Sequence, residues 1–180
     1  NTMGLSAERE EAISEVYADS VILLQDTRRK DVSCAGAGWN EKQVHKHKAF
    51  HFYKGMKAVV GGLAILVPLW MSRYVVNIGT ATGILQGRVA SLRVKIHGDR
   101  DVSFFNAYMH VNNNETTRKG LNNQYWKWME EKVGSLPSRC TPIMAGDFNG
   151  HVGFTREDGI TLYPDVESMS VRGFGGELEN

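Results

Sequence analysis

The residues of this chain best suited to chemistry are Asp147 and Asn149. They lie in Ile143-Met144-Ala145-Gly146-Asp147-Phe148-Asn149-Gly150-His151-Val152-Gly153, a short apolar strand that runs straight into Gly-Asp-Phe-Asn. Two residues apart in extended chain, the carboxylate and the carboxamide share one side of the backbone at the mouth of a sheet. There a carboxylate can accept a proton from water or bind a hard cation. A carboxamide can donate to a phosphate oxygen without adding negative charge. That pairing points to hydrolysis; its structural alternative is an Asx turn closing the strand. Asn1, Asp26 and Tyr108 also fall near expected strand ends.

The elements that must hold these groups follow from periodicity. Ser6 is a good N-cap, and Leu5, Ala12, Ile13, Val16 and Tyr17 recur at helical spacing after it, so the first helix is expected to bury that face. Val21-Ile22-Leu23-Leu24 is continuously apolar, as in a strand buried on both faces, and ends at Gln25-Asp26-Thr27-Arg28. Residues 29 to 48 are polar and irregular and read as a loop. Phe50 to Tyr53, Ala58 to Val67 and Tyr74 to Ile78 read as strands, with a bulge or bend at Gly61-Gly62. Ala90, Leu92, Val94 and Ile96 alternate strictly with polar neighbours, and a turn at His97 to Arg100 leads into a partner strand from Val102 to Met109. Leu121, Tyr125, Trp128, Met129 and Val133 mark an amphipathic helix stopped by Gly134 and Pro137. This order suits a mixed α/β layered sandwich better than a purely parallel sheet.

Composition bounds the rest. A chain of 180 residues, 42% hydrophobic, can bury one core without staples. Its formal net charge of +1 supplies no bulk field for a polyanion, so any polyanion site must be local. Cys34 and Cys140 have no metal-ligand or disulfide spacing and read as reduced thiols. The longest apolar run, Ala58 to Val67, is too short to span a membrane, so the expectation is an intracellular protein, nuclear or cytoplasmic, with no membrane partner.

Other features read as structural. His45, His47 and His51 cluster, but no nearby carboxylate or cysteine completes a metal site, and they read as a solvated basic loop. With Arg28, Arg29 and Lys30 such a loop can also touch a nucleic-acid backbone. Trp126 and Trp128 fit helix packing better than base stacking, and Gly79-Thr80-Ala81-Thr82-Gly83 lacks the Lys and helix of a phosphate loop.

Taken together, three motifs resemble one family. Gln25-Asp26-Thr27-Arg28 looks like the Gln-Glu-Thr motif of the endonuclease/exonuclease/phosphatase superfamily. Asn106-Ala107-Tyr108 is similar to its Asn-x-Tyr strand, and Gly146-Asp147-Phe148-Asn149 to its Gly-Asp-Phe-Asn signature. Within it, Gly-Asp-Phe-Asn-Gly-His-Val-Gly is most like non-LTR retroelement endonucleases and craniofacial-development-protein-like relatives. The resemblance implies a DNase I-like four-layer α/β/β/α sandwich with mixed, largely antiparallel sheets. It implies a single partial domain over residues 1–180, incomplete at both termini, with 157–180 as loop, because the family's first strand and its Ser-Asp-His motif are not within this sequence.

The activity it implies is hydrolysis of a phosphodiester, with nucleic acid and DNA first as partner, using Mg2+ or Mn2+. Asp26 and Asn1 would lie at the metal, while Tyr108, Asn106 and Arg28 would meet the phosphate. Asp147 would activate the water and Asn149 would steady the transition-state charge. Asp26 stands where the family has Glu, one methylene shorter. A non-catalytic remnant that keeps the fold and binds nucleic acid or protein is the alternative, with a phosphomonoesterase third.

Overall fold

The structure, a computed structural model, describes residues 4–29, 38–53, 61–96, 100–110, 115–149, 154–155 and 161–162. The chain divides into two compact units, residues 1–148 and 149–180. The first carries helix α1 (Ala7–Val16), strands β1 (Ile22–Gln25), β2 (Trp39–Val44), β3 (His47–Phe52) and β4 (Leu63–Pro68), and a single turn, α2 (Leu69–Ser72). Strands β5 (Val75–Thr80), β6 (Val89–Ile96) and β7 (Arg100–Tyr108), helix α3 (Glu115–Gly134) and strand β8 (Cys140–Asp147) follow.

Period-two alternation builds two sheets and the layer between them. The first sheet runs β1-β4-β3-β2 and is wholly antiparallel; the second runs β5-β6-β7-β8 and is antiparallel except for the parallel pair β7 and β8. Phe50, Phe52, Leu63, Ile65 and Val67 of the first sheet meet Ala90, Leu92, Val94 and Phe104 of the second in one buried layer. On the far side of the second sheet, Val89, Ala107 and Met109 pack under Tyr125 and Met129 of α3. The expected four-layer α/β/β/α order is therefore present, with helices outside and two sheets inside, one antiparallel and one mixed but largely antiparallel.

Several expectations need correction. Residues 39 to 44 form strand β2 rather than loop, and His47 and His51 are buried on β3, alternating with Phe50 and Phe52. The face of α1 expected to be buried is largely outside, with Val16 73% and Tyr17 56% exposed, while Glu10 and Ser14 face inward. Strand β1 is only partly buried, because among the described residues it is an edge strand paired to β4 alone.

The second unit holds β9 (Phe154–Thr155) paired antiparallel with β10 (Thr161–Leu162). A short strand thus falls inside the stretch read as loop; the rest of residues 157–180 lies outside the described residues.

Candidate functional site

Strand β1 ends at Gln25, and the chain turns through Asp26 (φ 55°) and Arg28 (φ 49°), both in the left-handed region that costs a non-glycine residue energy. Backbone bonds hold this turn from both sides. Gly4 and Leu5 donate to the carbonyls of Asp26 and Thr27, while Thr27 and Arg28 donate to those of Gly62 and Gly61. Gly62 is obligatory here, since a Cβ on it would lie 2.6 Å from Thr27 Oγ1.

The same turn is tied to the second sheet. Gln25 Nε2 donates to Asn106 Oδ1 at 2.8 Å, and Asn106 Nδ2 donates to the carbonyls of Leu24 and Ala64. Asn106 is 1% exposed, so its role among the described residues is to lock β7 across to β1 and β4. Two residues on, Tyr108 shares its face, and it pairs in register with Asp147 at the end of β8. Met109 N–H closes the pair by donating to Asp147 O at 2.9 Å. Gly146 permits the close approach of the strands: a Cβ there would sit 2.1 Å from Ala107 O. The ends of β1, β7 and β8 therefore bring Asp26, Arg28, Asn106, Tyr108 and Asp147 to one region.

The electrostatics centre on Asp26, which is 1% exposed. Its Oδ2 accepts from Arg28 Nε at 3.0 Å and Nη2 at 2.8 Å, and its Oδ1 accepts from Gly61 N–H at 2.9 Å. Burial pushes this carboxyl up, but the Arg28 fork, the Gly61 N–H and the charge of Arg88 outweigh burial and hold it below its usual range. Arg28 is raised in turn by its bond to Asp26.

Arg88, at the start of β6 and 4% exposed, carries a second guanidinium into the region. It lies 4.5 Å from the Tyr108 ring centroid, and its Nη1 donates to Tyr108 O at 3.3 Å. The charge of Arg88 also reaches fully buried Tyr125, whose phenol burial pushes up to about 12 against that charge. The sequence signal for Arg88 is a cation that opens the otherwise apolar inner face of Ala90, Leu92 and Val94.

Asn1 lies outside the described residues. Strand β8 ends at Asp147, and Asn149, two residues on, begins the second unit with φ 44°. Between them Phe148 stacks on Trp126 of α3, centroids 5.7 Å apart and planes 8° from parallel.

A divalent cation of the Mg2+ kind asks for several hard oxygen ligands in near-octahedral array. Both Asp26 oxygens already hold N–H donors, one of them a guanidinium in direct contact. The described residues contain no group of three or more His, Cys, Asp or Glu side chains placed to share an ion. As arranged, a Mg2+ or Mn2+ ion approaching Asp26 Oδ2 would have to displace the Arg28 guanidinium.

No family model matches the chain, and no curated protein matches it either. Solved structures do. D. rerio TDP2, in a complex with a single-strand DNA product, is 12% identical with a TM-score of 0.51, over 81% of this chain and 54% of that one. A truncated Caenorhabditis elegans TDP2 is 15% identical with a TM-score of 0.50, over 88% and 60%. The selenomethionine form of the Caenorhabditis elegans protein is 15% identical with a TM-score of 0.50, over 88% and 45%. The chain thus spans about half the length of these structures. What it shares with them is the fold, and with its two facing sheets between outer helices that fold is the DNase I-like α/β sandwich.

Proposed function

We propose that this chain acts on nucleic-acid phosphodiesters, DNA first, as a nuclease-type hydrolase of the endonuclease/exonuclease/phosphatase superfamily. The observation that carries the reading is the convergence of Asp26, Tyr108 and Asp147 at the ends of strands from both sheets. Support comes also from the fold shared with a TDP2 that holds a single-strand DNA product. In this reading Asp147 takes the proton of the attacking water as its oxygen bonds to phosphorus and the P–O bond to the leaving sugar oxygen breaks, that oxygen taking a proton from solvent, while the Tyr108 phenol donates to a non-bridging phosphate oxygen and Arg28 offsets the charge gathered there. Asn149 is the carboxamide that the sequence motif assigns to the phosphate. The Gly-Asp-Phe-Asn-Gly-His-Val-Gly run supports descent from a non-LTR retroelement endonuclease, and the site of action would be nuclear or cytoplasmic. Mg2+ or Mn2+ is the cofactor of the chemistry implied by the motifs; because Asp26 is already engaged, no step is assigned to it.

That engagement favours a second reading, a module that binds nucleic acid without cutting it. Nicking of supercoiled plasmid, with and without Mg2+, separates the two. The hydrolase reading expects nicking that Asp147→Ala lowers at least a hundredfold, in keeping with the 10²–10⁴-fold worth of general acid–base catalysis. A folded chain that binds DNA and leaves it intact would establish the second reading.

A further inference from the structure

The turn after β1 presents its charges in an order that suits an anion more than a cation. Asp26 is 1% exposed, whereas the Arg28 side chain is 41% exposed, so a ligand arriving from solvent meets the guanidinium with the carboxylate behind it. Nε and Nη2 of Arg28 both rest on Asp26 Oδ2, and a guanidinium has further N–H donors in the same plane for an incoming oxyanion. Asp26 is fixed from its other side by Gly61 N–H. The neighbouring arginine cannot take the same place, because Arg29 Nη2 is drawn 2.5 Å from Glu10 Oε2 under α1. Backbone bonds to Gly61 and Gly62 hold the left-handed turn without a ligand, so the guanidinium is already ordered. Arg88 adds a second, buried positive charge nearby.

We propose that Asp26 and Arg28 form a preorganised phosphate clasp, in which the buried carboxylate anchors the guanidinium and the guanidinium takes a nucleic-acid phosphate without a divalent cation. The clasp rests on the proposed nucleic-acid reading and gives Asp26 a different task there, that of positioning Arg28.

Fluorescence anisotropy of a short 5′-labelled single-stranded oligonucleotide, in EDTA and in Mg2+, tests it on the whole chain. The clasp expects equal affinity in the two buffers. Arg28→Met should weaken binding about tenfold in both, the scale of one charge-assisted hydrogen bond. Arg28→Lys, which keeps the charge but not the fork, should recover only part of that loss. Asp26→Asn supplies the sharper sign. A carboxylate that merely stands near the phosphate repels it, so neutralising it would tighten binding; an anchor, once neutralised, releases Arg28 and binding weakens several-fold.

Binding that requires Mg2+, or that Arg28→Met or Asp26→Asn leaves unchanged or strengthens, overturns the clasp while leaving the nucleic-acid reading in place. No binding in either buffer overturns both. The buffer comparison on the unaltered chain stands even where a substitution unfolds the turn.

Discussion

Asp26 shows how much one side chain's partners decide. A carboxylate at a strand end is legible in sequence as a possible cation ligand, but its neighbours in space redirect it. The residue that claims it, Arg28, is two positions away and reaches back because Asp26 and Arg28 both adopt positive φ. Nothing in the residue types at 25 to 28 announces that backbone. The pairing has a pH signature. Since the folded state holds Asp26 below its usual range, the stability it contributes is complete above the unfolded value of about 3.9 and is lost as pH falls through the lower folded value. Melting temperature followed from pH 5 downward should therefore drop less steeply in Asp26→Asn than in the parent chain. Parallel acid limbs would mean that Asp26 is not held ionised by its neighbours. Asp147, by contrast, is at the last residue of β8 and outside the buried cores, so Asp147→Ala is expected to leave the thermal transition in place while removing any cleavage.

Helix α1 makes the corresponding point for elements. It docks on the first sheet through charge instead of apolar contact. Glu10, fully buried, sits 2.8 Å from Lys42 Nζ and 3.0 Å from His51 Nε2 and also pairs with Arg29. Ser14 Oγ lies 2.7 Å from His47 Nδ1, and His47 Nε2 is 2.8 Å from the Ser20 carbonyl. Removing one member of a buried ionic cluster strands the others, so Glu10→Ala should cost about 3 to 5 kcal/mol of unfolding free energy, read by urea denaturation. A loss near zero would show that α1 is held some other way.

Acid should loosen the same junction. Burial holds His51 below its usual range against the pull of Glu10, so its contribution is complete above about 6.5 and declines as pH falls through its lower folded value. Burial raises Glu10, but His51, Lys42 and Arg29 outweigh it and keep Glu10 low, so its loss follows at still lower pH. This docking explains what the sequence did and did not disclose. The β6–β7 hairpin and α3 were legible because each buries an apolar face whose period is visible within the element itself. The inward face of α1 was not, because Glu10 and Ser14 are suited to burial only by Lys42, His47 and His51, partners on strands more than thirty residues away.

At the scale of the whole molecule, the open question is what an edge does. Among the described residues no strand pairs with the outer side of β8, the edge of the second sheet. The strand reads Cys-Thr-Pro-Ile-Met-Ala-Gly-Asp, with no charge before Asp147, and Ile143 and Met144 are 44% and 43% exposed on its two faces. Soluble proteins usually blunt such an edge with lysine, a bulge or a cover; Pro142 is the only device within β8, and it removes a single donor. A formal net charge of +1 adds almost no repulsion between copies. These terms act in one direction, toward association through β8 as concentration rises. Ile143→Lys places a charge at a 44% exposed position of that strand, four residues before Asp147 and in register with Phe104 of β7. In sedimentation velocity, the parent chain should show a weight-average coefficient that climbs with concentration, and Ile143→Lys should flatten that climb. An equal climb in both would move the association to another surface, with exposed Val16 and Tyr17 on α1 the next to substitute.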